Sequence, residues 1–203
     1  MIQLDPFYPI VPDTAWLKRL LPAGLKLVQL RIKGAPPETV RAEIVEALSL
    51  CWQANCQLVV NDYWREAIEA GADFVHLGQE DLAGADVGAI RAAGIRLGIS
   101  THSDAELEIA LAASPDYVAL GPIYPTLLKK MPWAPQGLDR VALWRSRLPC
   151  PLVAIGGITP DRAPAVFEAG ADSLAVITDI VTHAEPEKRT ETWMALTEPM
   201  RRR

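Results

Sequence analysis

The chain has 203 residues, half of them hydrophobic, a length compatible with one large α/β domain or two small ones. A formal net charge of −5 argues against a nucleic-acid-binding protein, and no run approaches the roughly 18 apolar residues that a membrane helix needs. The N-terminal stretch MIQLDPFYPIVPD has an early acid and no long apolar run, so it does not fit a signal peptide. With cysteines that lack any disulfide-framework spacing, which we interpret as core thiols, these features predict a cytoplasmic protein.

Short apolar runs alternate with segments of helical spacing along the whole chain. The predicted strands are residues 7–11, 26–32, 57–61, 73–77, 95–100, 116–120, 151–155 and 172–177. The predicted helices are residues 38–54, 64–70, 86–93, 104–113, 139–147 and 161–169. Such alternation indicates βα units around a parallel sheet. Eight units favour a closed barrel, so we predict one compact (β/α)8 TIM-barrel domain over residues 1–203.

An internal echo supports repeated βα units. EAGADFVHLGQED (69–81) resembles EAGADSLAVITDI (168–180). In each copy a helix is predicted to end on Ala-Gly, with glycine at the cap and aspartate at the start of the next strand.

Polar residues follow nearly every predicted strand at its carboxyl end, where barrels of this kind carry their chemistry. In chain order they are Gln29, Arg31 and Lys33, then Asn61 and Asp62, then His76, Gln79 and Asp81, then Ser100, Thr101 and His102, then Gly156 and Gly157, then Thr178 and Asp179. We therefore expect these side chains to surround one mouth of the barrel.

Two aspartates of this set have both a structural and a functional interpretation. Asp62 fits an Asx turn, and Asp81 fits an N-cap for a helix that starts at Leu82. With arginine and lysine nearby, the pair also fits a divalent cation held by two carboxylates beside a phosphate. The Gly156-Gly157 pair is likewise either a tight loop or part of a phosphate site, which such barrels often place after strands 7 and 8.

Other polar and aromatic residues are assigned more simply. His76 lies in an apolar run and is interpreted as a core histidine with satisfied hydrogen bonds. No acid is visibly partnered with His102, which disfavours serine-hydrolase chemistry. Trp133 lies in a proline-rich loop that is either a lid over the mouth or an ordinary surface loop. The terminal residues 201–203 are three arginines, interpreted as a solvated tail.

The motifs VQLRIKG, VVNDYWREAIEAGADFVHLGQEDL, GISTH, DYVALGPIYPT, VAIGGIT and AGADSLAVITDI occur in this order. In this combination the chain resembles the thiamine phosphate synthase family from about Phe7 to Ala184. The resemblance implies a Mg2+-dependent (β/α)8 barrel. It also implies two substrates, hydroxymethylpyrimidine diphosphate and a thiazole phosphate, which are joined to give thiamine phosphate and pyrophosphate.

The resemblance also implies roles for individual residues. Those expected to bind the pyrimidine diphosphate are Gln29, Arg31, Lys33, Asn61 and Ser100. Those expected to hold Mg2+ are Asp62 and Asp81. Those that match the family's PTxTK loop after strand 6 are Thr126 and Lys129. Those expected to bind the thiazole phosphate through backbone amides are Gly157, Ile177 and Thr178. Of all these, Ser100 and Lys129 are the expected catalytic residues.

Two positions depart from the family pattern. Leu128 stands where PTxTK has its second threonine, and Asp179 places a carboxylate near the expected thiazole-phosphate site. Two alternatives stay open beside the synthase. One is a related thiazole tautomerase, whose pattern lacks the paired aspartates and has a catalytic histidine in the strand-6 loop, where this chain has Pro122. The other is a non-catalytic barrel that binds phosphate ligands. Whether the chain forms homo-oligomers is left open.

Overall fold

A computed structural model describes residues 3–126 and 133–201 of the chain. Its eight strands are all parallel and close into a barrel in chain order, which confirms the predicted (β/α)8 architecture. The strands are β1 (Phe7–Val11), β2 (Leu27–Leu30), β3 (Gln57–Asn61), β4 (Phe74–Leu77), β5 (Arg96–Thr101), β6 (Tyr117–Leu120), β7 (Leu152–Ile155) and β8 (Ser173–Val176). Each lies within one residue of a predicted run except β2, which is shorter.

Helices follow the strands and cover the outside of the barrel. They are α1 (Thr14–Leu20), α2 (Pro37–Gln53), α3 (Trp64–Ala70), α4 (Gln79–Ala83), α5 (Val87–Ala92), α6 (Asp104–Ala112), α7 (Gly137–Arg147), α8 (Ala163–Glu168), α9 (Thr178–Val181) and α10 (Pro186–Arg201). The helical spacing predicted α2, α3, α5, α6, α7 and α8. It missed α1, α4 and α9, which span seven, five and four residues and so show too little periodicity. The 16-residue α10 was also not among the predicted helices.

The core has two layers because strand side chains alternate between the two faces of the sheet. One face packs against the helices and forms the larger apolar cluster, which includes Trp144 and Trp193. The other face fills the inside of the barrel with a smaller cluster that includes Tyr8, Phe74 and Tyr117. The barrel is therefore a packed scaffold, and an active site has room only at its rim.

The aspartates that the internal echo placed at strand starts lie directly before β4 and β8, and they join neighbouring units at the amino-terminal rim. Asp73 accepts a 2.8 Å hydrogen bond from Arg96, and Asp172 accepts one of 2.6 Å from Arg145. Asp172 also accepts the Leu152 backbone N–H at 2.7 Å. Gly71 caps α3 in the left-handed region at φ 73°, where the absence of a Cβ avoids strain.

The interpretation of the C-terminal arginines as a solvated tail is wrong at Arg201. This residue ends α10, and its guanidinium donates two hydrogen bonds of 2.7 and 2.8 Å to the Asp5 carboxylate. The pairing ties α10 to the segment before β1 and is supported by a parallel stack of Phe7 on Trp193, with centroids 5.3 Å apart. Residues 202 and 203 lie outside the described residues.

The three cysteines are buried free thiols, as predicted. Within residues 3–126 and 133–201, no helix combines the length and apolar character needed to cross a bilayer.

Candidate active site

Four strands direct polar side chains into the barrel just below its carboxyl-terminal mouth. Gln29 and Asn61 each follow an inward-facing residue of the inner core by two positions, and so does His76. All three are nearly buried, at 2%, 5% and 7% exposure. Ser100 joins them from β5 and is half-buried. The structure thus brings Gln29, Asn61 and Ser100, three of the five residues expected to bind the pyrimidine diphosphate, together with His76.

A continuous set of hydrogen bonds, called here the polar chain, crosses the barrel through five side chains. Gln29 Nε2 donates to the Tyr8 hydroxyl at 2.8 Å, and the Tyr8 and Tyr117 hydroxyls lie 2.9 Å apart. The Tyr117 hydroxyl lies 2.7 Å from His76 Nδ1, and His76 Nε2 lies 2.7 Å from Ser100 Oγ. Both tyrosines are fully buried, so their hydroxyls depend on this chain for partners.

Gly98 on β5 makes room for the phenol of Tyr117. A Cβ at position 98 would lie 2.1 Å from Tyr117 Cζ and 2.5 Å from its hydroxyl oxygen. Gly98 and Tyr117 are register partners on neighbouring strands. The glycine in IRLGIS therefore determines where the Tyr117 hydroxyl can lie.

His76 is a buried histidine with both ring nitrogens engaged, which confirms the interpretation made from sequence. Burial lowers the pKa of His76 to about 4, although the nearby Asp62 carboxylate acts in the opposite direction. Burial also raises the pKa of Tyr8 and of Tyr117 above the ordinary value. The polar chain is therefore uncharged near neutral pH.

Asp62 and Asp81 form a carboxylate pair at the mouth, directly above the polar chain. Asp62 follows β3 in the left-handed region at φ 65°, and its side chain is 17% exposed. Its carboxylate accepts a 2.6 Å hydrogen bond from Lys33 Nζ. Partial desolvation and the neighbouring Asp62 carboxylate raise the pKa of Asp81. Two carboxylates brought this close repel each other unless a proton or a metal cation lies between them.

Neither structural explanation of these aspartates is confirmed. Asp62 lies at a backbone bend, where its main-chain carbonyl accepts the Trp64 N–H at 2.8 Å. Its carboxylate bonds Lys33 and not the backbone, so the contact of the predicted Asx turn is not the one the structure gives. The N-cap predicted for Asp81 is wrong, since Asp81 lies in the first turn of α4. The next helix, α5, is capped by Asp86, whose carboxylate accepts the Ala89 N–H at 2.9 Å.

Further polar residues surround this side of the mouth, and one of them has a buried hydrogen-bond donor without a partner among the described residues. Asn61 Nδ2 is buried and has no hydrogen-bond partner among the described residues. Arg31 lies just beyond β2 with an exposed side chain. Gln79 Nε2 donates to the Ser100 carbonyl at 2.7 Å and so anchors the end of β5. An orphaned buried amide normally marks a position that a ligand or water satisfies.

The Gly156-Gly157 loop after β7 packs tightly against the loop after β6. Both glycines are in the left-handed region, at φ 99° and 64°. A Cβ at Gly157 would lie 2.6 Å from the Pro125 carbonyl oxygen, so glycine is required for close approach. The Arg162 guanidinium donates to the Gly157 carbonyl at 2.6 Å and lies 4.6 Å from the centre of the Tyr124 ring. One arginine thus joins both loops.

Ile177 and Thr178 lie where β8 gives way to α9, next to the glycine loop in barrel order. The Asp179 carboxylate is engaged elsewhere, on the side of α10. It accepts hydrogen bonds of 2.8 and 2.7 Å from Arg189 and one of 2.7 Å from Trp193 Nε1. Its negative charge is therefore paired by α10, and this departure from the family pattern leaves the neighbouring amides available.

The loop after β6 is described only at its two ends. Thr126 is half-buried at the last described residue of the first part, whereas Leu128 and Lys129 lie outside the described residues. Trp133 stacks on His102 with centroids 5.8 Å apart. The expectation that His102 lacks an acid is wrong, because its Nδ1 lies 2.9 Å from Glu106 Oε2. Ser100 nevertheless bonds to His76, so no serine triad forms on His102.

Three residues at this site were not assigned from sequence, namely Tyr8, Tyr117 and Arg162. Each of the two tyrosines lies at an inward-facing position of a mostly apolar strand. A tyrosine at such a position is usually interpreted as a core packing residue. Arg162 follows Gly157 by five residues, and only the folding of the turn before α8 brings its side chain back. For Tyr117 the usable sequence signal is a tyrosine at an inward-facing strand position beside a glycine, Gly98, on the neighbouring strand.

A closed parallel barrel with carboxylates, a lysine and a glycine loop around its carboxyl-terminal mouth defines the class of TIM-barrel enzymes. The sequence model of one family, thiamine monophosphate synthase, matches residues 8–180. A thiamine-phosphate synthase of Rhizobium etli is 61% identical over 201 residues, which cover 98% of each chain. A thiamine-phosphate synthase of Salmonella paratyphi B is 50% identical over 93% of this chain and 90% of its own length.

A solved structure gives the same result. Thiamine phosphate pyrophosphorylase from Pyrococcus furiosus superposes with a TM-score of 0.85 at 27% identity, covering 96% of each chain. The chain belongs to the thiamine monophosphate synthase family. Its activity is that of a thiamine-phosphate synthase, a transferase, and the tautomerase-like alternative is not favoured.

Proposed function

We propose that the carboxylate pair and the polar chain bind hydroxymethylpyrimidine diphosphate, while the glycine loop and the turn after β8 bind a thiazole phosphate. The observation that carries this assignment is the pairing of Asp62 with Asp81 beside Lys33, next to the orphaned amide of Asn61. A cation, a second positive charge and a free N–H donor are what a bound diphosphate needs.

The donor set at the mouth fits Mg2+. Asp62 and Asp81 supply hard carboxylate oxygens, and the pKa of Asp81 is raised by desolvation and by the neighbouring Asp62 carboxylate. Within the described residues no group of three or more metal-binding side chains occurs, so diphosphate oxygens and waters would complete the coordination. When bound there, Mg2+ would neutralise charge that develops on the departing diphosphate.

The protein groups around the diphosphate assist its departure by electrostatics. Lys33 lies within hydrogen-bond distance of Asp62, so it can turn from that carboxylate to a diphosphate oxygen. Arg31 is exposed at the same rim, and Asn61 Nδ2 and Ser100 Oγ offer neutral donors. Lys129, expected to contribute a further charge, lies outside the described residues. Donors arranged in advance around a leaving group lower the barrier to its loss.

We infer a dissociative path in which the pyrimidine carbocation forms before the thiazole nitrogen attacks. An amino-substituted pyrimidine delocalises positive charge, and the thiazole nitrogen has its own lone pair. The attack therefore requires no general base. The two histidines at the site fit this view, since His76 is buried and bonded on both sides, and His102 is held by Glu106.

The thiazole phosphate is assigned to the opposite side of the mouth. Gly157, Ile177 and Thr178 would offer backbone amides, and successive amides in a turn form a suitable anion site. Thr126 would add a hydroxyl from the β6 loop. The Gly156 carbonyl accepts the Tyr124 N–H at 3.0 Å, so the Gly157 N–H of the same trans peptide points the other way. This proposal needs no contribution from the Asp179 carboxylate, which α10 pairs.

Steady-state turnover of the two purified substrates with Mg2+ tests the whole assignment. We expect thiamine phosphate and pyrophosphate in equal amounts, and a loss of activity of at least about 100-fold in Asp62→Ala or in excess EDTA. Asp86→Ala is the matched control, because it removes an aspartate that only caps α5.

Full activity in Asp62→Ala would contradict the metal assignment. Isomerisation of a thiazole phosphate without coupling would instead identify a tautomerase. Binding of both ligands without any turnover would identify a non-catalytic phosphate-binding barrel.

A further inference from the structure

The polar chain ends on a residue that the proposed function places against the diphosphate. Ser100 Oγ contacts His76 Nε2 and has no other side-chain partner among the described residues. A hydroxyl both donates and accepts, so its role toward a ligand depends on which way its proton points. That direction depends on the tautomer of His76, which in turn depends on the buried groups behind it.

The direction of hydrogen bonding can be followed from the interior outward. Gln29 Nε2 donates to the Tyr8 oxygen. Among the described residues, the Tyr8 hydroxyl proton then has one acceptor within reach, the Tyr117 oxygen. Once Tyr117 accepts that proton, it donates its own to His76 Nδ1 at 2.7 Å. The neutral ring then carries its proton on Nε2 and donates to Ser100 at 2.7 Å.

The opposite order leaves one proton without an acceptor. If His76 Nδ1 donated to Tyr117, the Tyr117 proton would pass to the Tyr8 oxygen. Tyr8 would then accept from both neighbours, and its own proton would be buried without a described partner. Tyr8 is 1% exposed, so water cannot compensate from the surface. Burying an unpaired hydroxyl proton is costly, which makes the first order more stable.

We propose that the polar chain donates in one direction, from Gln29 to Ser100, and so leaves the Ser100 hydroxyl proton free to donate to a diphosphate oxygen. Tyr117 and His76 are then positioning residues that act through Ser100. This inference rests on the proposed function for the identity of the acceptor. The order of the protons rests on the contacts inside the barrel.

The tautomer of His76 is the direct test and requires no substrate. The chain has three histidines, so spectra of protein labelled with 15N-histidine are simple to assign with His76→Gln. We expect wild-type His76 to be protonated at Nε2 and unprotonated at Nδ1. A proton on Nδ1 would overturn the proposal, whether or not the protein turns over the proposed substrates.

Two matched phenylalanine variants test the order along the chain. Tyr117→Phe removes the donor to Nδ1, and we expect a mixture of His76 tautomers. Tyr8→Phe removes one equally buried hydroxyl but leaves Tyr117 to donate to Nδ1, so the wild-type tautomer should persist. The proposed order would be refuted if Tyr8→Phe changed the His76 tautomer, or if Tyr117→Phe left it unchanged.

A double-mutant cycle tests whether Tyr117 acts through Ser100. We expect Tyr117→Phe to lower kcat about tenfold in the wild type, the size of one lost hydrogen bond to a charged ligand. In the Ser100→Ala background the same change should lower kcat by less than about twofold, since the residue it orients is gone. Equal losses in both backgrounds would show that Tyr117 acts independently of Ser100 and would overturn its positioning role.

Discussion

The buried neutral His76 ties the stability of the barrel to pH. Its folded-state pKa is about 4 against an ordinary value of 6.5, because burial penalises the charged ring. The unfolded chain therefore binds a proton in a pH range where the folded chain does not. Its contribution to stability is fully present above about pH 6.5 and is lost as the pH falls towards 4.

The size of this effect follows from linkage between protonation and unfolding. A pKa of 6.5 unfolded and about 4 folded removes about 2 kcal/mol of unfolding free energy between pH 8 and pH 5, and about 3 kcal/mol by pH 4. The His76 side chain is only 7% exposed, so solvent screening reduces this pH effect on stability very little.

Urea denaturation of the wild type and of His76→Gln at pH 8, 7, 6 and 5 measures the effect. Glutamine keeps a donor and an acceptor but cannot titrate, and every other titrating group is shared between the two proteins. We expect the variant to be less stable at pH 8 and the gap to narrow by about 2 kcal/mol at pH 5. Parallel stability curves over this range would refute the reasoning, as would direct observation by NMR of a protonated His76 at pH 5.5.

Three further predictions concern the two sides of the mouth. Lys33→Ala should weaken binding of the pyrimidine diphosphate by about tenfold or more and of the thiazole phosphate by less than about twofold, because one charge-assisted contact is lost. Equal losses of affinity in calorimetric titrations would show that Lys33 does not belong to the diphosphate side. Gly157→Ala should lower the thermal midpoint and weaken the thiazole phosphate, since its Cβ would lie 2.6 Å from the Pro125 oxygen, whereas Gly84→Ala, with its nearest contact at 3.8 Å, should change neither. Arg162→Met should raise the KM for the thiazole phosphate about tenfold through the lost bond to the glycine loop, and an unchanged KM would show that the loop holds its shape without Arg162.

The sequence was sufficient for the architecture because strands and helices have local periods. Eight apolar runs with helical spacing between them specify a parallel barrel, and the mouth then follows from the carboxyl ends of the strands. The carboxylate pair could be predicted in the same way, since Asp62 and Asp81 each follow an adjacent strand by a few residues. Position along the chain was enough because the scaffold places these residues whatever their side-chain conformation.

Tertiary structure alone decided which partner each polar side chain contacts. Asp179 was placed beside a phosphate site by position, yet Arg189 and Trp193, one helical turn apart on α10, draw its carboxylate away. Tyr8 and Tyr117 are 109 residues apart and meet only across the closed barrel. A local pattern sets the face on which a residue lies, whereas the partner of a buried polar group depends on rotamers and on distant chain segments that satisfy its hydrogen bonds.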